Sequence, residues 1–176
     1  MPDRILVQRA VDGDTSAFGE IVRRHSSLVR AYVYRIVGSV ADTDDVVQDA
    51  FVTAWKQLPT LRDPSAVRSW LMRIAGREAL ALATRNSRED ALDDAVLPPT
   101  SHAQPERAAI QNDRLAALSR ALDRLKEDQR RCWLLREVAE LSYAEIAEEM
   151  NMTDSTVRGL LARARASIAI EMEGWR

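Results

Sequence analysis

Apolar residues recur along this chain at three- and four-residue spacing, the signature of amphipathic helices. Ile5, Leu6, Val7, Ala10 and Val11 give a first stripe, ended by Asp12-Gly13-Asp14. A second helix is predicted from Thr15-Ser16, carrying Phe18, Ile21, Val22, Leu28, Val29, Tyr32, Val33 and Ile36. Gly38 ends it, because glycine most easily takes the left-handed conformation that closes a helix. A third helix is expected to start at Asp42 as N-cap, with Val47, Ala50, Phe51, Ala54 and Leu58 on one side and Pro59 as its stop. Asp63-Pro64 then reads as N-cap plus first helical position, opening a fourth helix through Val67, Trp70, Leu71 and Ile74.

The C-terminal block repeats the pattern. Leu115 to Leu125 places Leu118, Leu122 and Leu125 in register, and a further helix is predicted over about Gln129 to Ala139. Ser142-Tyr143-Ala144-Glu145 is a capping-box pattern in which serine and glutamate satisfy each other's backbone amides. It opens a short helix with Ile146, Ala147 and Met150 inward. After Asn151-Met152, Thr153 is expected to cap a last helix with Val157, Leu160, Leu161, Ala164 and Ile168 on its inner face.

Between the blocks, about Asn86 to Asp113, the helical pattern fails. Pro98-Pro99-Thr100-Ser101 and Gln104-Pro105 sit among Glu89-Asp90 and Asp93-Asp94, with only a weak helical signal at Ala91 to Val96. Prolines block a helix, and a charged stretch has little to bury. Charge marks the same division: residues 1–88 hold 13 basic against 10 acidic side chains, residues 89–113 hold Arg107 alone against six acids, and residues 114–176 hold 11 of each. Two helical domains and a flexible tether are therefore expected from 176 residues.

Composition narrows the function classes. With 46% hydrophobic and 30% charged residues the chain suits a globular protein, and six glycines, six prolines and 5% aromatics disfavour an all-β fold. No apolar run approaches the roughly 20 residues that span a bilayer. Met1-Pro2-Asp3-Arg4 lacks the look of a secretory signal, so a cytoplasmic location is expected. One cysteine, Cys132, and two histidines, His25 and His102, offer no disulfide and no zinc site, so no metal or cofactor is expected. No nucleophile–base pair or glycine-rich phosphate loop is visible, which argues against an enzyme.

Three helix faces carry candidate chemistry. On the last helix, a turn of about 100° per residue groups Ser155, Gly159, Ala162 and Ala166 opposite the apolar stripe, flanked by Arg158 and Arg163 with Thr156 near Arg163. A strip of small side chains lets a helix approach base edges, and flanking guanidiniums suit phosphate or guanine. Small residues also mark helix–helix packing. On the third helix, Asp42, Asp45, Gln48, Asp49, Val52 and Lys56 point away from the core, with Asp45 and Asp49 at a like-charge spacing that a basic partner would offset. Acids in a first turn also simply favour the helix dipole. On the fourth, Arg73 and Arg77 stack beside Trp70 with Arg68 on the opposite flank, an arrangement that suits either an unstacked base or ordinary core packing of the tryptophan.

Taken in order, these segments resemble a bacterial RNA polymerase sigma factor of the extracytoplasmic-function group, over nearly all of the chain outside the tether. Ala17-Phe18-x-x-Ile21-Val22-x-Arg24-His25 is similar to the opening of the first conserved sigma region. Asp42-x-x-Asp45-Val46-Val47-Gln48-Asp49-x-Phe51-x-x-x-Trp55 is similar to the segment that docks on the polymerase beta-prime clamp helices. Ser69-Trp70-Leu71-x-Arg73-Ile74-Ala75 resembles the part that engages the minus-ten promoter element. Leu141 to Ala147, with Thr156-Val157-Arg158 and Arg163-Ala164-Arg165, resembles the helix-turn-helix that reads the minus-thirty-five element.

The resemblance implies an all-α chain of two small helical domains. Residues 1–87 form a region 2-like bundle, 88–113 a linker and 114–176 a region 4-like helix-turn-helix. It implies that Asp42, Asp45, Gln48, Asp49 and Val52 bind polymerase. It places Arg62, Ser65, Arg68, Trp70, Arg73 and Arg77 at the downstream element, with the loop Arg62-Asp63-Pro64-Ser65 helping to hold a flipped base. Ser155, Thr156, Arg158, Gly159, Ala162, Arg163 and Arg165 are placed at the upstream duplex. Core RNA polymerase (beta-prime clamp helices and beta flap), promoter DNA and an anti-sigma factor are the implied partners. The chain departs from the family at Gly76-Arg77, where Arg-Asn is usual, at Ala81 and Thr84, and at Val157-Arg158-Gly159-Leu160, which lacks the usual serine and second arginine. The rival expectation is a stand-alone helix-turn-helix repressor or activator, which would leave Asp45 and Asp49 without a role.

Overall fold

The computed structural model describes the backbone of residues 1–90 and 109–173 and the side chains of 1–86 and 116–173. The chain divides into two compact units, Met1–Ser101 and His102–Arg176. Among the described residues, eight α-helices and three short turns of other helical type carry the structure, with no strand.

The first unit holds α1 (Asp3–Val11), α2 (Thr15–Val37), α3 (Val40–Gln57) and α4 (Val67–Asp90). Helix α2 starts where the Asp14 carboxylate accepts the amides of Ser16 and Ala17 at 3.0 and 3.1 Å. It ends where Gly38, at φ 74°, donates its N–H to the Tyr34 carbonyl. Helix α3 begins earlier than expected. Ser39, not Asp42, is its N-cap, with the Ser39 hydroxyl accepting the Asp42 amide at 3.4 Å, and Asp42 lies in the first turn. The left-handed Gly38 turns the chain so sharply that the next residue already caps. Pro59 sits in a 3-10 turn, Leu58–Thr60, and Asp63 caps a second such turn, Pro64–Ala66, that leads into α4.

Helices α2, α3 and α4 pack on one another, and α1 closes against α2 and the Pro64 turn. The core joins Ile21, Val29, Tyr32 and Val33 to Val46, Ala50, Phe51 and Ala54, and to Leu71, Met72, Ala75 and Ala79. Burying each large side chain contributes roughly 1.5–3 kcal/mol. Val47, expected inside, is half-buried, and Val46 takes the buried place. Ile5 and Val11, expected in the first stripe's core, are exposed, and Leu6, Val7 and Ala10 carry the contact. Gly76 is buried against Tyr32.

The second unit is built around α8 (Asp154–Glu173), against which α5 (Ala109–Asp123), α6 (Glu127–Trp133) and α7 (Tyr143–Met150) pack. The helix expected over Gln129 to Ala139 stays α-helical only to Trp133. Leu134–Val138 widens into a π turn in which the Ala139 N–H donates to the Leu134 carbonyl at 3.0 Å. Glu140 then turns left-handed at φ 59°, and the Leu141 N–H reaches the Leu135 carbonyl. The wide turn lets Leu134, Leu135, Ala139 and Leu141 all be buried, which a regular helix ending there would not. The capping box forms as expected, with Ser142 and Glu145 exchanging bonds of 3.2 and 2.8 Å. Asn151, left-handed at φ 51°, closes α7, and the Thr153 hydroxyl accepts the Thr156 amide at 3.2 Å to open α8.

Helix α4 runs to Asp90 and α5 opens at Ala109, so helix covers both ends of the stretch expected as linker. The prolines at 98, 99 and 105 and the weak helical signal at 91–96 lie outside the described residues, as does the Leu115 side chain.

Candidate nucleic-acid interface

The inner face of α8 is fixed by Val157, Leu160, Leu161 and Ala164, all buried, with Ile168 half-buried. That phase turns Ser155, Thr156, Arg158, Ala162, Arg163 and Arg165 to solvent, with Gly159 half-buried. Thr156 shares its hydroxyl with Thr153 at 2.9 Å. Gly159 leaves room for Arg163, whose guanidinium lies 3.7–3.9 Å from where a side chain at 159 would begin. Arg163 therefore lies over the small-residue strip rather than simply beside it.

Arg165 differs from its neighbours. Its guanidinium is paired with Glu137 at 2.7 Å. Glu137 first, and the Tyr143 phenol second, hydrogen-bond it and push its pKa further up. The expected grouping of Arg165 with the DNA-facing residues thus meets an intramolecular partner 28 residues away. Tyr143, the first residue of α7, also has two guanidiniums over its ring, Arg136 at 5.2 Å and Arg158 at 5.7 Å from the centroid. Helix phase alone does not find Tyr143 and Arg136, because a chain reversal brings them together. The sequence signal is an aromatic residue just inside a capping box with arginines both before and after it.

On α3, Asp45, Gln48, Asp49 and Val52 are exposed and Asp42 is half-buried. Asp44 is paired with Arg30 at 2.8 Å, whereas neither Asp45 nor Asp49 has an ion pair among the described residues. Two apolar side chains, Val52 and Trp55, lie exposed along the same helix, and Trp55 meets the Phe18 ring at 4.9 Å between centroids. Thr53 donates to Glu78 at 2.8 Å and ties this helix to α4. The result is an acidic surface with an apolar margin.

On α4, Trp70 is half-buried rather than core, Arg68 and Arg73 are half-buried, and Arg77 is exposed. In the preceding loop Arg62 and Ser65 are exposed. The Asp63 carboxylate accepts both the hydroxyl and, at 2.9 Å, the amide of Ser65, which lowers its pKa. Ser65 therefore has its hydroxyl proton committed inside the loop. Beside this loop an open groove of about 480 Å³ is lined by Val7, Val11, Pro59, Leu61 and Pro64, with Gln8 and Asp12 as polar members. No cluster able to hold a metal ion occurs among the described residues, and no helix there is long and apolar enough to cross a membrane.

These surfaces fall within segments that match known families. Sigma-70 region 2 matches residues 21–89, and Sigma-70, region 4 matches residues 115–168. The chain is 33% identical to the ECF RNA polymerase sigma-E factor of Escherichia coli over 96% of this chain and 93% of that one. Among solved structures it is similar to CnrH, determined in complex with the cytosolic domain of CnrY, with 28% identity, a TM-score of 0.66 and coverage of 98% of this chain and 97% of that one. The sigma factor RpoE of Bartonella quintana, solved with the anti-sigma factor NepR, shares the fold at a TM-score of 0.72 and 22% identity, covering 90% of this chain and 98% of that one. With exposed arginines on a capped helix-turn-helix, a bare acidic face on α3 and relatives matched along nearly their whole length, the chain belongs to the extracytoplasmic-function family of RNA polymerase sigma factors.

Proposed function

We propose that this sigma factor divides its work between its two units, acting by binding alone and with no covalent chemistry of its own. Residues 1–87 dock on polymerase and capture the opened downstream strand, 88–113 tether, and 114–176 read the upstream duplex. The observation that carries this division is the opposite chemistry of two exposed helix faces. Asp45 and Asp49 on α3 have no ion pair among the described residues, while Arg158 and Arg163 on α8 face solvent.

Asp42, Asp45, Gln48, Asp49 and Val52 form the polymerase-binding surface, directed at the beta-prime clamp helices, and the 114–176 unit meets the beta flap. Ser155, Thr156, Arg158, Gly159, Ala162 and Arg163 face the minus-thirty-five element, with Arg165 behind them as a support paired to Glu137. Arg62, Ser65, Arg68, Trp70, Arg73 and Arg77 line the minus-ten strand. Flipping a base costs a few kcal/mol, and stacking returns about 1–3 kcal/mol per base, so polymerase supplies much of the positioning. The protein works in the cytoplasm, and an anti-sigma factor holds it inactive by covering these surfaces.

Run-off transcription with purified core polymerase on a promoter library tests this. Specific initiation that Arg158→Ala or Asp49→Lys abolishes supports it. Tight, sequence-specific duplex binding by the isolated chain, with no polymerase requirement, would favour a stand-alone repressor instead.

A further inference from the structure

We propose that Tyr143 is the positioning residue for Arg158: its ring, with the guanidiniums of both Arg136 and Arg158 over it, fixes the direction from which Arg158 meets a base edge, and so sets how sharply the upstream element is discriminated. This rests on the assignment of α8 to the upstream duplex.

An exposed arginine on an isolated helix samples many rotamers, and most of them point its donors away from any one base. Arg158 is exposed, yet its guanidinium lies 5.7 Å from the centre of the Tyr143 ring. An arginine held through its flat face keeps the N–H edge free, and that edge is what reads guanine by two parallel bonds. The contact therefore aims Arg158 without consuming the donors it needs.

The ring can aim only if it is fixed itself, and two contacts fix it. Its backbone follows Ser142, locked by the capping box to Glu145. Arg136 also lies over the ring, 5.2 Å from the centroid, and Arg136 is anchored by a 2.7 Å bond to the Leu141 carbonyl. Of the three arginines around Tyr143, Arg158 alone has no carboxylate or carbonyl partner among the described residues. It is the one left for an outside ligand. Both Arg136 and Glu137 are presented by the π turn, Leu134–Val138, a feature that often accompanies functional sites.

The test uses the holoenzyme on promoter pools randomised across the upstream element. Arg158→Ala should remove discrimination at the base pairs Arg158 reads. Tyr143→Leu should weaken discrimination at those same base pairs by about two- to fivefold, the range of an exposed cation–π contact. Selectivity elsewhere in the element should be intact. Tyr143→Phe, which keeps the ring, should restore it, and adding Tyr143→Leu to Arg158→Ala should cost nothing further. Tyr143→Met replaces the leucine variant if thermal unfolding shows that one to be misfolded. Equal effects of Tyr143→Leu with and without Arg158, a uniform loss across all promoters, or a phenylalanine variant as impaired as leucine would each overturn the proposal. Unchanged discrimination in Arg158→Ala would overturn the assignment of α8 as well; an effect of Arg158→Ala that Tyr143→Leu does not share would overturn this inference alone.

Discussion

Tyr32 fills the space that a side chain at Gly76 would need: a Cβ at 76 would stand 2.8 Å from Tyr32 Oη and 3.1 Å from its Cε1. Tyr32 is 2% exposed, so any shift of its ring disturbs the core around it. The glycine that departs from the family pattern thus marks a close approach of α4 to α2. Gly76→Ala gains about 0.8–1.0 kcal/mol of helix propensity but meets an overpacking cost of about 1–3 kcal/mol, so a net loss of up to about 2 kcal/mol is expected. Chemical denaturation should show it, and Tyr32→Phe combined with Gly76→Ala should cost less than the two single changes added together. A more stable Gly76→Ala would mean the contact is looser than it stands here.

The acidic face of α3 should separate stability from binding. Asp45 and Asp49 repel at four-residue spacing, a cost of about 0.2–0.5 kcal/mol in an isolated helix. Asp49→Lys converts this to an attractive pair, so thermal stability should hold or rise slightly while affinity for core polymerase falls at least about tenfold. Titrations at several salt concentrations check both. Unchanged affinity would remove this face from the polymerase interface.

Acid should loosen the start of α2 in a defined window. The Asp14 carboxyl is held down at about 2, from an ordinary 3.8, by the Ser16 hydroxyl first, then the Ala17 amide and Arg9. A carboxyl lowered on folding stabilises fully above its unfolded value and loses that effect as pH falls through the folded one. The contribution is therefore complete at pH 5 and above and fades between about pH 4 and pH 2. Asp14→Asn keeps a capping oxygen but not the charge, so its melting temperature should lie below wild type at pH 7 and converge with it near pH 2. Glu20, also held at about 2 by Arg23 and Arg24, titrates in the same window. The difference between the two proteins, rather than either acid curve, isolates Asp14.

Cys132 should be silent towards oxidants and thiol reagents while the domain is folded. It is fully buried, its thiol faces the Val157 carbonyl at 3.8 Å, and burial pushes its pKa up to about 11. At pH 8 about one molecule in a thousand carries the reactive thiolate. Labelling should follow the unfolding rate, with fast labelling of the native protein as the contrary result.

Local cues carried most of the fold. The left-handed Gly38, the Asp63–Pro64 start and the Ser142–Glu145 box each act within a few residues, and each stands where its chemistry puts it. Ser39 and Asp42 are both good caps three residues apart, and only the sharp turn at Gly38 decides between them. The π turn is set by tertiary burial of Leu134, Leu135, Ala139 and Leu141, which no spacing rule encodes. The exposed faces of α3 and α8 follow from helical phase, so their polar residues were legible. Arg165's attachment to Glu137 was not, because it depends on how two distant segments fold together. The same holds for the arginines gathered at Tyr143.

Helix α7 is preceded by Glu140 at φ 59° and followed by Asn151 at φ 51°, left-handed positions that glycine would occupy more easily. Holding them with side-chain-bearing residues adds local strain to the native turn, more for glutamate than for asparagine. It also narrows the wanderings of the denatured chain, so less disorder is surrendered when the two corners form. Glycine at either corner would ease the bend yet multiply the alternatives open to it. A stiffer pair of corners thus favours one pose of the short helix over its neighbours before any ligand arrives.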